Sequence, residues 1–381
     1  MSVRVLKPAF NVREKLSELD IPVGTHGSQL MKSVDASESF DLVRAGRKNM
    51  IINGQCWINQ RNGGSSVTIP NATGGTYQLD RWAVNEATGG TVSVNMDGDP
   101  PNYPHTGAGQ FQKAMQVACS GTDTSLASTQ NTHFFQNIEG YTTAHLGWGT
   151  RAAKPVTLSF WVKTNCAGYY NVGLENSATN RTNIKQFFHN GSHMWQKFVL
   201  TYPGCGDGTW LKTNGIGIRL RFCLASGTQY DDGVEGQWTT TDELHIGTQT
   251  NFMSSTNNRF FITGVQLEEG TVATPFEHRS YPEEYLLCAR YFWRLTATDA
   301  NGNLTTGPRW LYFLYNTTSY SRVTVTHPSP MRALPSVVNI DLSETGNQSG
   351  IQFNGTHSTT VYVNNPGTIS SLSNCWFDAE L

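Results

Sequence analysis

The feature that most constrains the fold is a strict alternation of apolar and polar residues in several short segments. In residues 156–164, VTLSFWVKT, every second residue from Val156 to Val162 is apolar. Residues 216–224, IGIRLRFCL, repeat the pattern, with a glycine, two arginines and a cysteine between the apolar positions. Side chains of a β-strand point alternately to opposite faces, so each segment predicts a strand with one buried face. Two stacked sheets of such strands form a β-sandwich.

The composition supports many short strands joined by turns. The chain has 381 residues, of which 37 are glycine and only 15% are charged. Glycine, threonine, serine and asparagine suit turns and are poor helix formers. No part of the sequence predicts the alternation of strands and helices that is typical of a nucleotide-binding fold. The sequence therefore predicts a mainly β protein of two to three domains.

Three parts are predicted: residues 1–48 as a helical N-terminal arm, 49–280 as a β-sandwich, and 281–381 as a small C-terminal β domain opened by a short helix. In the arm, Asn11 can cap a first short helix, and a second is predicted over residues 37–45. Both are too short to be stable alone in water, so their apolar side chains need a partner, in this chain or in another protein. These side chains are Val12, Leu16, Leu19, Phe40 and Val43.

Three segments carry a resemblance to a known type of domain. Residues 259–279, RFFITGVQLEEGTVATPFEHR, predict a strand whose alternation breaks at Gly264, then a turn and an extended tail. Together with residues 52–61, INGQCWINQR, and 78–82, QLDRW, they resemble the jelly-roll, carbohydrate-binding-module-like domain in tail fibres of tailed bacteriophages, of the cyanophage or podophage kind. The opening and closing motifs occur in order, at a spacing that fits one sandwich.

The resemblance implies a virion protein of the tail-fibre type that binds host cell-surface polysaccharide through a non-catalytic jelly roll. It implies a homotrimer, assembled in the host cytoplasm, displayed on the outside of the particle and attached to other virion proteins through the N-terminal arm. The alternative is a purely structural virion component, such as a head decoration, collar or tail connector, in which the jelly roll is a spacer.

Several partner classes are not expected. The net charge is −2 and the longest basic cluster is Arg44, Arg47 and Lys48, so no nucleic-acid partner is predicted. No apolar run is long enough to span a membrane, and the N-terminus lacks the apolar core of a signal peptide. The seven scattered cysteines include no CxxC or Cys/His spacing, so neither a structural zinc nor another cofactor is predicted.

Sugar hydrolysis would need two carboxylates facing a cleft. The only dense acidic cluster is Asp231, Asp232 and Glu235, in a predicted loop with two glycines. A solvated loop, a calcium- or sugar-binding loop and a hydrolytic pair are the alternatives, and a non-enzymatic role is predicted because no nucleophile or phosphate-binding motif is present. The resemblance implies a structural calcium held partly by an aspartate of the last strand, but Thr263 occupies that position, so no metal site is predicted.

Aromatic residues in predicted loops are the candidates for sugar contact, because the apolar faces of sugar rings stack on indole and phenol rings. The candidate set, in which the aspartates would bond sugar hydroxyls, is Trp148, Trp210, Tyr230, Asp231, Asp232 and Trp238. The alternative is that a β-sandwich buries most of its tryptophans. The tryptophans predicted to lie in the core are Trp57, Trp82, Trp161 and Trp195.

Overall fold

The structure is a computed structural model that describes residues 47–62, 65–69, 72–97, 111–298, 304–305, 311–313, 320–342, 348–364 and 370–381. The chain divides into two compact units, Met1–Lys48 and Asn49–Leu381, so one boundary falls at the predicted end of the N-terminal arm. The helices predicted in the arm lie outside the described residues. No helix in the described ranges is long and apolar enough to cross a membrane.

Thirteen strands of the second unit form two antiparallel sheets. The strands are β1 (Val67–Ile69), β2 (Ala72–Leu79), β3 (Trp82–Glu86), β4 (Thr91–Asp97), β5 (Ala114–Gly121), β6 (Asn131–Glu139), β7 (Val156–Thr164), β8 (Gly168–Glu175), β9 (Thr182–His189), β10 (Gln196–Tyr202), β11 (Ile216–Ser226), β12 (Trp238–Thr239) and β13 (Arg259–Glu269). The six-stranded sheet has the order β1-β4-β5-β13-β7-β10, and the seven-stranded sheet has the order β12-β9-β8-β11-β6-β3-β2. A four-residue helix, α1 (Gly140–Thr143), follows β6.

The C-terminal part of this unit begins with helix α2 (Tyr281–Ala289), the short helix that was predicted to open it. Its strands form a five-stranded sheet, in which β21 pairs with β14, β16 and β18 and β14 also pairs with β15, and a three-stranded sheet of the order β17-β20-β19. The strands are β14 (Phe292–Thr298), β15 (Leu304–Thr305), β16 (Leu311–Phe313), β17 (Tyr320–Thr326), β18 (Ser336–Leu342), β19 (Gln348–Asn354), β20 (Ser358–Asn364) and β21 (Ser370–Asp378).

The main hydrophobic core draws its side chains from both larger sheets, as the alternation predicts. Trp82 of β3 is fully buried, and its ring lies 6.1 Å from that of Phe134 and 6.4 Å from that of Phe222. Each such apolar side chain stabilises the fold by about 1.5–3 kcal/mol through burial. The four alternating residues of β7 are all buried in this core, namely Val156, Leu158, Phe160 and Val162. The predicted mainly β sandwich of the jelly-roll type is thereby confirmed.

Of the other three tryptophans that were predicted to lie in the core, one is buried and two are half-buried. Trp195 is 5% exposed and packs in a small cluster with Phe111 and Phe261. Trp57 and Trp161 are only half-buried, so their assignment to the core is wrong in part. Trp161 lies on the outer face of β7, because the alternation that turns Phe160 and Val162 inward turns Trp161 outward.

The predicted break at Gly264 is a β-bulge. The register of β13 against β7 shifts between Thr263 and Gln266. Gly264 has a φ of 62°, a conformation that L residues rarely adopt, and an added Cβ would lie 2.4 Å from the ring of Phe111. Both the conformation and the close packing therefore require glycine here.

Asn53, in the first motif of the resemblance, is a buried structural residue. Its φ is 58°, and its side-chain Oδ1 accepts hydrogen bonds from the backbone N–H groups of Trp57 and Ile58, both at 3.0 Å. Its Nδ2 donates to the carbonyl of Asp80, and its own carbonyl accepts from the indole of Trp82. The first and second motifs are thus tied together through one asparagine.

Buried and half-buried ion pairs join the sandwich to the C-terminal part. Arg290, after α2, pairs with Glu139 of β6 at 2.6 Å. Arg81 pairs with Glu380 and lies 3.6 Å above the ring of Tyr291. Two further pairs link Arg61 to Asp378 and to Glu380, at 3.0 and 3.1 Å. The predicted boundary at residue 280 separates the sandwich sheets from the C-terminal sheets but lies inside one compact unit; separate domains stay a prediction.

Candidate functional site

Three of the four predicted sugar-stacking aromatics cluster together. The ring of Trp148 lies 4.6 Å from that of Trp210 and 5.2 Å from that of Trp238, all edge to face. Trp148 is 3% and Trp210 8% exposed, so their placement on an exposed binding surface is wrong. The indole N–H groups can be buried because each donates a hydrogen bond to a backbone carbonyl. Trp148 donates to Lys154, Trp210 to Asp207 and Trp238 to Pro203. The recess beside them has a volume of about 10 Å³, room for one water at most.

The acidic loop does not join this cluster. Tyr230 is half-buried, and its carbonyl accepts hydrogen bonds from the N–H groups of Leu244 and His245 at 3.0 and 3.1 Å. Asp232 is exposed, and its backbone N–H donates to Glu243. In the described ranges, no hydrogen bond or ion pair connects Tyr230, Asp231 or Asp232 with the three tryptophans. The predicted set is therefore not one site.

The described residues contain no group of three or more His, Cys, Asp and Glu side chains placed to hold a metal ion. At the position where the resemblance implies a calcium ligand, Thr263 donates a hydrogen bond to the carbonyl of Lys113 at 2.8 Å. At this position the Thr263 hydroxyl donates a hydrogen bond, where an aspartate would offer carboxylate oxygens to calcium.

A buried polar network lies on the outer face of the seven-stranded sheet. Glu175 of β8 is fully buried and pairs with Arg219 and Arg221 of β11, both at 3.1 Å. Arg221 also pairs with Asp242 at 2.7 Å and donates to the carbonyl of Glu243 at 2.9 Å. Burial raises the pKa of Glu175 to about 7, and it outweighs the two guanidinium groups, which lower it. The network fixes the segment after β12 across this face.

An aromatic pair remains exposed on the same face. Tyr169 of β8 and Phe188 of β9 are directly opposite in the ladder, with ring centroids 5.1 Å apart and ring planes at 58°. They are 46% and 50% exposed, whereas their neighbours Tyr170 and Phe187 are 1% and 5% exposed and pack in the core. We call Tyr169 and Phe188 the aromatic platform.

Hydrogen-bonding groups lie beside the aromatic platform. Gln186 lies two residues before Phe188 on β9, opposite Asn171, and donates to the carbonyl and the hydroxyl of Thr248 at 2.7 and 3.1 Å. Thr248 is exposed and Gln186 is half-buried. The two rings can stack on the apolar face of a sugar, while the amide oxygen of Gln186 and the hydroxyl of Thr248 can bond its hydroxyl groups.

The aromatic platform is not among the predicted site residues, although the sequence contains a pattern that indicates it. Both residues belong to aromatic doublets, Tyr169–Tyr170 and Phe187–Phe188, within predicted β structure. Since adjacent side chains of a strand point to opposite faces, one member of each doublet must face outward. The predicted aromatic site residues all lay in predicted loops instead.

No protein-family model matches the sequence, and no curated protein sequence matches it. Among solved structures, the enzymatically active domain of tailspike protein 4 of bacteriophage CBA120 matches 53% of this chain at 11% identity and a TM-score of 0.28; the match spans only 21% of that domain. The family 11 carbohydrate-binding module of the cellulase Lic26A-Cel5E of Clostridium thermocellum matches 56% of this chain and 99% of its own, at 10% identity and a TM-score of 0.26.

A third structure, of TmCBM61 in complex with β-1,4-galactotriose, matches 50% of this chain and 88% of its own, at 10% identity and a TM-score of 0.26. At identities of 10–11% and TM-scores of 0.26–0.28, these similarities carry no conclusion about this chain.

Proposed function

We propose that this chain is a virion protein of the tail-fibre type that binds polysaccharide on the host cell surface without cleaving it. The observation that carries the proposal is the aromatic platform, Tyr169 and Phe188, exposed on the outer face of a jelly-roll sheet beside the amide of Gln186. Two adjacent exposed aromatic rings form an apolar surface on which the face of a sugar ring can stack. The virion role rests on the sequence resemblance.

The proposed role of the protein is binding without catalysis. Glu175 and Asp242, two carboxylates on the same face of the sheet, are both held by Arg221. A glycosidase needs one carboxyl free to donate a proton and a second free to act as nucleophile or base. A reducing-end assay with the purified chain and host polysaccharide tests this point, and release of new reducing ends would contradict it.

Affinity for one sugar segment should be weak. Two stacked rings and a few hydrogen bonds stabilise a small ligand by only a few kcal/mol, which corresponds to a dissociation constant on the order of millimolar. Several copies on one particle raise the effective affinity, because the second and third contacts are intramolecular. The homotrimer that the resemblance implies would present three platforms, and it stays a prediction.

A second candidate is a structural virion component in which the sandwich is a spacer. It is favoured by the covered outer face of the central strands, where Arg221 holds Asp242 and Glu243 of the chain itself. A spacer needs no ligand, so the two candidates differ in what happens when the aromatic platform is removed.

The deciding experiment uses matched pairs from the two doublets. Tyr169→Ala and Phe188→Ala should each weaken adsorption of particles to host cells, and binding of the purified chain to host polysaccharide, by roughly tenfold, with circular dichroism and melting temperature unchanged. The controls Tyr170→Ala and Phe187→Ala should instead destabilise the fold by about 3–5 kcal/mol, because they remove buried rings. Adsorption unaffected by both platform variants would favour the spacer.

A further inference from the structure

Strand β10, residues 196–202 with the sequence QKFVLTY, is an edge strand of the six-stranded sheet. It pairs with β7 along its whole length, from Gln196 opposite Val162 to Tyr202 opposite Val156, and among the described residues no other strand pairs with it. Every second residue of an edge strand directs its backbone N–H and C=O groups away from the sheet. β10 therefore presents a row of backbone groups that another strand can bind.

The side chains of β10 do little to block such pairing. Lys197 is its only charged residue, no proline or glycine interrupts it, and Pro203 comes only after its end. Val199, at its centre, is 49% exposed. Phe198 and Leu200 point to the other face, where they are partly buried against the main core. Edge strands that avoid association usually carry lysine, inward-pointing charges, proline or bulges, and of these β10 has only Lys197.

We propose that a second copy of this chain pairs with β10 in antiparallel fashion, about a two-fold axis at Val199, and so joins two six-stranded sheets into one. The inference concerns assembly and is independent of the proposed glycan binding. A two-fold contact cannot close a homotrimer by itself, so a three-fold fibre that used it would contain six copies. The contact would be isologous, with the same strand on both sides.

The sequence of β10 favours this register over others. A two-fold axis perpendicular to the sheet keeps each side chain on its own face. Centred on Val199, the pairing sets Val199 against its copy and Lys197 against Thr201, while Phe198 lies against Leu200 on the core side. Centred on Lys197, it would set two ammonium groups directly opposite. The Val199 register thus extends the apolar core across the joint and separates the two lysines.

The first test is the mass of the full chain by sedimentation equilibrium at high micromolar concentration. The wild type should contain an even number of copies, and Val199→Lys should raise the dissociation constant by about tenfold or more, since it places two charges opposite each other. Val234→Lys is the matched control, because Val234 is 48% exposed but lies outside β10; it should leave the mass unchanged.

The second test is disulfide cross-linking. In the proposed register, Val199→Cys brings two thiols into one directly opposite pair and should give a covalent dimer under mild oxidation. Lys197→Cys should not, because the two copies lie about 13 Å apart along the joint. The wild type sets the background: six of its seven cysteines are buried and Cys166 is half-buried. A monomer, a trimer that Val199→Lys does not change, or equal cross-linking of both cysteine variants would overturn the inference.

Discussion

At the scale of single residues, Glu175 shows how burial can oppose ion pairing. It pairs with Arg219 and Arg221, yet it is fully buried and Asp242 lies close by, so its pKa rises from the ordinary 4.5 to about 7. The carboxylate lost its hydration when the segment after β12 covered it, and the two guanidinium groups restore only part of that free energy. The folded protein therefore holds a proton here that the unfolded chain would release near neutral pH.

We expect this proton to appear in the pH dependence of stability. Between pH about 4.5 and about 7 the folded state binds more protons at Glu175 than the unfolded state, so stability should fall as the pH rises, by up to about 3 kcal/mol. Glu175→Gln removes this dependence, because glutamine does not titrate. Urea unfolding of both proteins across this range measures the effect, and parallel curves would show that Glu175 ionises at its ordinary pKa when folded.

At the scale of elements, alternation predicted strands well and loop packing poorly. The period of two fixed which face of β7 and β11 packs in the main core, because a strand offers only two faces. It did not predict that most side chains on the opposite faces of these strands are buried as well. The short helix predicted to open the C-terminal part is α2. Whether Trp148 and Trp210 are buried depends on where distant loops fold, and no local pattern carries that information. The aromatic platform was predictable in outline from its doublets, but its exposure was not, since segments far along the chain cover the rest of that face.

The clustered tryptophans should hold the loops at one end of the sandwich. Trp148→Ala should destabilise the fold by about 3–5 kcal/mol, because it removes a buried ring that contacts Trp210 and Trp238. Trp238→Ala should cost less, since Trp238 is half-buried. Chemical unfolding measures both. Binding to polysaccharide should survive in either variant that remains folded, and loss of binding with an unchanged fold would return these residues to the candidate site.

At the scale of the whole molecule, the residues that carry the resemblance hold the second unit together. Asn53 links the first two motifs, and Arg81 and Arg61 reach across to Glu380 near the end of the chain. Motif residues with such structural roles identify a fold and leave the ligand open. The links from Arg81 and Arg61 to Glu380 also explain why the sandwich and the C-terminal sheets form one compact unit despite their separate hydrogen-bond ladders.

We expect residues 49–381 to unfold in a single calorimetric transition. The ion pairs Arg290–Glu139 and Arg81–Glu380 cross from the sandwich to the C-terminal part. Glu139 and both members of the second pair are buried, and a buried charge that loses its partner costs about 3–5 kcal/mol. Residues 49–280 expressed alone should therefore melt well below the longer chain. Two resolved transitions, or a fragment with an unchanged melting temperature, would instead establish two independent domains.

The position of the aromatic platform has a consequence for how such a protein can change. Tyr169 and Phe188 are half exposed, and the motif residues that join the parts of the fold lie on other segments. Surface substitutions of this kind usually alter stability by no more than about 0.5 kcal/mol. If the aromatic platform binds the host receptor as proposed, a lineage could exchange both side chains and so change its receptor in a few mutations, with every intermediate still able to fold.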